Sequence, residues 1–269
     1  MLSNFSVLCS LYRKEKPEYL KECFESIAAQ TLQATEIVVV HDGPLTEELY
    51  AVLKLWQSKL PLKQVYITKN VGLGEALNKG LEACTYDLVV RIDTDDINHK
   101  DRFCKQVRYM DANPEICAAS SNIYEFENCF KKPSRIKTVP LGKNIPRYIL
   151  KRNPLNHMAT IFRKRAVLKV GSYQHHLYME DYYLWLRLQA HGYKLSNMPE
   201  VLVSARIGNG MLERRRGSQY ARSELSLMKK IYGLKLTKSP RTAIIFTTRS
   251  LTRLMPSSFI KRIYEFCLR

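Results

Sequence analysis

Leu88-Val89-Val90-Arg91-Ile92-Asp93-Thr94-Asp95-Asp96 runs from a buried-strand pattern straight into three carboxylates within four residues. In an open α/β sheet such a cluster falls at the carboxyl end of a strand, which is where these sheets place their ligands. Carboxylates this close repel one another unless a cation lies between them. Hard oxygen donors of this kind suit Mg2+ or Mn2+, with substrate phosphates completing the shell. The plainer reading by position alone is a solvated acidic turn capping the helix that follows.

Working outward, short apolar runs alternate with amphipathic stretches, the pattern of a mostly parallel sheet covered by helices. Strands are expected at residues 5–10, 36–41, 64–68 and 88–92. Ile37-Val38-Val39-Val40 in the second has the continuous apolar character of a strand buried on both faces. Helices are expected at residues 17–30, opened by Pro17, and at 47–59, 74–84 and 100–113. Beyond them come a strand at 116–119, a loop-rich stretch at 128–153 of a length that usually binds substrate, a strand at 157–162, a helix at 180–190 and a strand at 201–206. Four successive strand ends carry polar or glycine-rich loops: Ser10-Leu11-Tyr12, Asp42-Gly43, Asn70-Val71-Gly72 and the acidic cluster. That is how one ligand crevice is assembled.

These segments, from Val7-Leu8-Cys9-Ser10-Leu11-Tyr12 through Asn70-Val71-Gly72-Leu73-Gly74 with Ala76, Asn78 and Gly80 to Arg91-Ile92-Asp93-Thr94-Asp95-Asp96, resemble family 2 glycosyltransferases of the GT-A fold, of the bacterial surface-polysaccharide type. The likeness spans residues 5–100. It implies that residues 1–100 bind a nucleotide sugar, with contacts from Ser10, Leu11, Tyr12, Asp42, Asn70, Gly72, Asn78, Arg91, Asp93 and Thr94. Asp95, with Asp93, would hold Mn2+ or Mg2+. His41 stands where relatives often carry a second acidic residue before Asp42.

Glu180-Asp181 opens a helix, where a carboxylate is ordinarily a cap. The resemblance implies instead that Asp181, beside Glu180, is the general base that deprotonates the acceptor hydroxyl. One base without a second nucleophilic carboxylate implies a single displacement with inversion. Asn156 and His157 resemble acceptor-side residues, His157 reading equally as a satisfied strand-edge histidine. Arg206, Arg214 and Arg215 read as a basic loop closing over the diphosphate or as a solvated basic turn.

The net charge of +18 calls for a polyanionic neighbour. From Arg206 onward there are 15 Lys+Arg against 3 Asp+Glu, so the cationic character sits at the rear of the chain, arguing for a catalytic domain held at an anionic surface. A division into a domain over residues 1–232, with its acceptor half at 101–232, and a basic tail over 233–269 follows. The tail reads as two amphipathic helices split at Pro256, interfacial or packed on the domain. A lipid-linked saccharide acceptor would suit the first alternative.

Seven scattered cysteines without metal or redox spacing suit a reducing compartment. The first ten residues lack a secretory leader, and no apolar run nears the ~18–20 residues that span a bilayer. The expectation is a cytoplasmic protein, peripheral on the inner face of the membrane. A nucleic-acid-binding protein is the non-enzymatic rival, but it leaves the acidic cluster unexplained; a non-catalytic nucleotide-sugar binder is another. A haloacid dehalogenase phosphatase is disfavoured by Ile97, and a dinucleotide fold by Leu77 in the third glycine position.

Overall fold

The computed structural model describes residues 2–207 and 216–255. The first half is built of β1 (Phe5–Leu11), α1 (Pro17–Ala28), β2 (Glu36–Asp42), α2 (Glu47–Trp56), β3 (Leu62–Ile67), α3 (Leu73–Ala83) and β4 (Leu88–Arg91). Strands β3, β2, β1 and β4 lie side by side and parallel. The chain winds outward from β1 to β3 and then returns to place β4 on the other side of β1. That reversal is a topological switch point, and the crevice opens there between the ends of β1 and β4.

After β4 come the short β5 (Ile97–Asn98), α4 (Arg102–Ala112), β6 (Ile116–Phe126), β7 (Arg135–Lys137), α5 (Ile145–Tyr148), β8 (Ile161–Arg163), α6 (Lys164–Lys169), α7 (Glu180–Ala190) and β9 (Lys194–Arg206). The sheet continues β4-β8-β6-β9-β5, with β7 added to the outer part of β6. Two further helices, α8 (Gly217–Gly233) and α9 (Pro240–Leu254), complete the described chain.

Side chains alternate across a strand, so each apolar strand feeds two cores. On one face Val7, Cys9, Val39 and Val90 pack against Leu20 and Phe24 of α1, Leu53 of α2 and Phe103 of α4. On the other, Leu8, Val38, Val40 and Val89 meet Leu77 of α3, Trp185 of α7, Leu227 of α8 and Phe246 of α9. Gly80 lets α3 approach that second face: a Cβ there would lie 2.3 Å from a Leu8 methyl and 2.6 Å from a Val40 methyl.

The expected elements of the first half are present with small shifts at their ends, and the helix at 180–190 is present as expected. Three segments differ. Residues 157–162 are not one strand: His157–Ala159 form a 3-10 turn, closed by Thr160 N–H on the His157 carbonyl, and only Ile161–Arg163 pair in the sheet. The strand at 116–119 continues to Phe126, and that at 201–206 begins at Lys194; the two run parallel over this length with register shifts at Cys117 and near Asn122. Helix α8 was not anticipated.

The first helix of the expected tail, α9, packs on the domain through Phe246, which is fully buried. Two of its three cations turn inward. Arg249 and Arg253 both reach the carboxylate of Glu224 on α8, at 2.8 and 3.2 Å, and Glu224 is wholly enclosed. The expected second tail helix, beyond Pro256, lies outside the described residues. No helix among the described residues is long and apolar enough to cross a membrane.

Candidate active site

The acidic loop starts where β4 stops. Arg91, almost entirely buried, donates from Nη2 to Asp93 Oδ1 at 2.5 Å, while Thr94 Oγ1 donates to Glu15 Oε2 at 2.7 Å. Carboxylate oxygens of Asp93, Asp95 and Asp96 all lie within 4.8 Å of one another. Burial, then the charges of Asp93 and Glu15, push Asp95 up to about 7. Asp96 is also raised well above the ordinary carboxylate range, by burial and then by Asp95 and Asp93, and its Oδ2 is buried with no partner, whereas Oδ1 accepts from the Arg206 N–H at 2.8 Å. An orphaned carboxylate oxygen beside two repelling carboxylates is a donor set that fits a hard divalent cation. The acidic-turn alternative fits this enclosure less well: Thr94 and Asp96 are buried, Asp93 and Asp95 are only partly exposed, and Asp101 at the start of α4 makes no side-chain cap.

Beneath the loop, Arg102 is a fixed support. Its guanidinium donates to Asn98 Oδ1, Gln106 Oε1 and the carbonyl of Arg91 at 2.5, 3.0 and 2.7 Å. Arg102 therefore fixes the backbone from which Arg91 and Asp93 project.

The proposed base side faces this loop through Arg91. Burial opposes charge on Arg91, but Asp93 outweighs it and holds the guanidinium above its ordinary pKa; Nε and Nη1 have no partner and are buried. Its charge also acts on Asp181, Tyr173 and His157. Asp181 begins α7 and accepts from Asn153 Nδ2 at 2.6 Å. Burial raises its pKa against the hydrogen bonds from Tyr182 N–H and Asn153, a direction that suits a base working near neutrality. Glu180 beside it is also raised by burial. His157 bonds the Tyr173 hydroxyl at 2.8 Å, and burial with Arg91 nearby pulls its pKa well down, so the ring is neutral. Asn156 is buried, its Nδ2 on the Ser121 carbonyl.

On the donor side Asp42 ends β2 and its carboxylate accepts from Asn70 Nδ2, Val71 N–H and Gly72 N–H at 2.8, 2.6 and 3.1 Å. Asp42 thus shapes the β3–α3 loop. Gly43 (φ 84°) and Gly72 (φ 90°) occupy backbone conformations that other residues rarely adopt, and a Cβ on Gly43 would lie 2.8 Å from Asn70 N. Ser10 is partly exposed at the end of β1 and Tyr12 is exposed beside it.

Three expected contacts are corrected. Leu11 is fully buried in the core with the α1 side chains, so its side chain is not available to a ligand. Asn78 gives both ends of its amide to the backbone of Tyr173, at 2.8 Å each, because it lies on the side of α3 that meets the 171–179 segment. Arg206 is not a free diphosphate ligand: it donates to Glu22 at 2.5 Å and to the Asp95 carbonyl at 3.1 Å, with its guanidinium 3.8 Å from the Tyr19 ring centroid. Arg214 and Arg215 lie outside the described residues.

Glu15, Asn153 and Tyr173 escaped the sequence reading. Glu15 follows Tyr12 by three residues in a strand-end loop already marked, a usable signal. Tyr173 follows a turn with positive φ at Gly171 and Ser172 and carries no sequence signal of its own.

The family model for glycosyl transferase family 2 matches residues 6–177, a span that holds the carboxyl ends of β1 to β4. The chain belongs to that family. This glycosyltransferase is 48% identical over 262 residues to the amylovoran biosynthesis glycosyltransferase AmsE of Erwinia amylovora, covering 97% of this chain and 98% of that one. It is 37% identical over 265 residues to the UDP-Gal:alpha-D-GlcNAc-diphosphoundecaprenol beta-1,3-galactosyltransferase of Escherichia coli, covering 98% and 96%. Among solved structures, the mannosyltransferase PcManGT of Pyrobaculum calidifontis, in complex with GDP-Man and Mn2+, superposes with a TM-score of 0.65 at 15% identity over 99% of this chain and 81% of that one. The likeness confirms the GT-A architecture of the family 2 enzyme.

Proposed function

We propose that this glycosyltransferase moves a sugar from a UDP-sugar to a hydroxyl of a lipid-linked saccharide by one inverting displacement, in surface-polysaccharide synthesis at the inner face of the membrane. The observation that supports the reading is that the buried Arg91, which pairs with Asp93 beside Asp95 and Asp96, also acts electrostatically on Asp181. The diphosphoundecaprenol acceptor named for the E. coli relative supports the acceptor class. The Mn2+ of the Pyrobaculum mannosyltransferase complex supports the cofactor.

In this reading residues 1–100 hold the donor, 101–232 the acceptor, and 233–269 form the basic tail. Asp95 and Asp93 would hold Mn2+ or Mg2+, which neutralises the charge developing on the departing diphosphate. Asn70 to Gly72, set by Asp42, line the donor side with Ser10 and Tyr12. Arg91, proposed on the same donor side, orients the Asp93 carboxylate from beneath the loop. Asp181 takes the acceptor proton, and Asn153 fixes the carboxylate oxygen that does not receive it. Neutral His157, held by Tyr173, is available to orient the acceptor without adding charge.

The test is a donor screen by mass spectrometry with a synthetic lipid diphosphate sugar as acceptor, with and without EDTA. Transfer from a UDP-sugar that EDTA abolishes is expected. Transfer that survives Asp181→Asn at the parent rate, or that ignores EDTA, overturns the assignment.

A further inference from the structure

Residues 128–153 hold eight Lys or Arg and not one Asp or Glu. With the cationic rear of the chain set aside, residues 1–205 hold 28 Lys+Arg against 22 Asp+Glu, so this segment more than accounts for their surplus and is a second concentration of positive charge. Lys131, Lys132, Lys143, Arg147 and Arg152 are exposed, while Arg135 pairs with Glu125. Exposed apolar side chains are interleaved with them. Phe130 precedes Lys131, Ile136 sits between Arg135 and Lys137, and Leu141 stands two residues before Lys143.

Both ends of the segment are anchored at the crevice. It leaves β6 at Phe126, whose ring lies under the Arg206 guanidinium at 4.6 Å, and Arg206 in turn holds the Asp95 carbonyl. It returns at Asn153, which holds Asp181. Inside, Ile145 and Ile149 are buried in the core and Asn197 holds the carbonyls of Pro140 and Pro154, so the segment is a built platform with an outward cationic face.

We propose that this platform is the face by which the protein rests on an anionic lipid leaflet. Cations with apolar side chains between them match an interface that is charged outside and apolar beneath. The tail helix α9 is the weaker candidate, because Arg249 and Arg253 are spent on Glu224 and Arg249 also donates to the Lys151 carbonyl. A leaflet on the platform borders the space between Asp95 and Asp181, where the sugar hydroxyl of a membrane-anchored acceptor would enter. The inference deepens the lipid-linked acceptor reading and takes its purpose from it, but its test needs no sugar transfer.

The test is sedimentation of the full chain with phosphatidylcholine vesicles, with and without phosphatidylglycerol. Each cation near an anionic leaflet multiplies partition roughly fivefold at low salt. The combined variant Lys131→Gln, Lys132→Gln, Lys143→Gln, Arg147→Gln is expected to bind anionic vesicles at least about 100-fold more weakly. The combined variant Lys235→Gln, Lys238→Gln, Arg241→Gln is expected to stay within about threefold of the parent. Restoring arginine at the lysine positions is expected to restore binding. Phe130→Trp supplies a readout in an otherwise native platform: its emission should shift to the blue on anionic vesicles.

Unchanged vesicle binding in the platform variant, or no emission shift, overturns the proposal. So does binding of this segment to single-stranded RNA by a chain that ignores vesicles. Calorimetry of UDP with Mn2+ is run on the same samples. If the parent fails to take up nucleotide, the donor reading falls while the vesicle result stands; if the platform variant alone takes it up less well, the vesicle loss reflects damage at the crevice and the proposal is withdrawn.

Discussion

Asp95→Asn removes a charge that the metal-free fold carries at a cost, so it should stabilise the protein while disabling it. Burial and the neighbouring Asp93 and Glu15 move Asp95 from 3.8 to about 7. At ~1.4 kcal/mol per pKa unit, an ionised Asp95 costs the fold about 4 kcal/mol. A proton taken up by a neighbouring carboxylate relieves part of the same repulsion in the parent, which leaves about 2 kcal/mol for the substitution to recover. The sign follows from linkage. A carboxyl with a higher pKa folded than unfolded holds its proton more tightly in the fold, so its penalty is absent below about pH 4, grows as pH rises and is complete above about 7.

Thermal unfolding in EDTA at pH 8 should therefore place the Asp95→Asn melt about 4–8 °C above the parent, given roughly 2–4 °C per kcal/mol for a domain of this size. At pH 5.5 the gain should fall by roughly half. The variant should also lose the uptake of UDP that Mn2+ assists, as expected where a site trades stability for function. A variant that melts below the parent in EDTA at pH 8, or one that binds UDP with Mn2+ as tightly as the parent, refutes the reasoning.

Asp181→Asn should keep nucleotide uptake but slow transfer by ~10²–10⁴, the usual worth of a general base, measured by product mass at saturating donor. Asn78→Ala removes both amide contacts to the Tyr173 backbone; urea denaturation should show a loss of about 2–4 kcal/mol. Gly43→Ala forces a Cβ against Asn70 N at a positive φ, which should cost at least about 1–2 kcal/mol by urea denaturation and weaken UDP uptake by calorimetry. Glu224→Ala leaves Arg249 and Arg253 without their buried partner, and a loss of about 3–5 kcal/mol in urea denaturation is expected; an unchanged midpoint would mean the α8–α9 contact contributes nothing.

The parallel half was legible because its strands are buried on both faces and so spell themselves as apolar runs, with turn residues at every end. The second half was not, because its long strands carry buried polar groups whose partners are remote in sequence. Ser120 bonds the Asn156 backbone, Ser196 the Tyr109 hydroxyl, and Asn197 two proline carbonyls. No local pattern announces that these groups are satisfied, so β6 and β9 looked shorter than they are. Helix α8 was hidden the same way, since Ser223 and Glu224 interrupt its apolar stripe and yet are buried by contacts to Leu177 and Arg249. The sequence was enough to name the acidic loop and Asp181 as the proposed metal and base positions. Leu11, Asn78 and Arg206 were assigned to ligand because their motif positions do not reveal that the fold already occupies them.

Those occupied residues explain how the two halves of the crevice keep their spacing. Asp42 fixes the 70–72 loop, that loop opens α3, and Asn78 of α3 grips the backbone of Tyr173, whose hydroxyl fixes His157. On the opposite side Arg206 ties the Asp95 backbone to Glu22 of α1, and Asn153 ties Asp181 to the segment that leaves the same corner. Each tie joins two groups of the protein itself, so none needs a ligand in order to form. A transfer reaction whose base must lie opposite a departing diphosphate gains from such preorganisation, because no reorganisation is then required as charge develops. Loosening any one tie should therefore lower kcat more than it lowers nucleotide affinity. Asn78→Ala separates the two quantities most cleanly, because its side chain bonds the Tyr173 backbone and none of the proposed metal or base carboxylates.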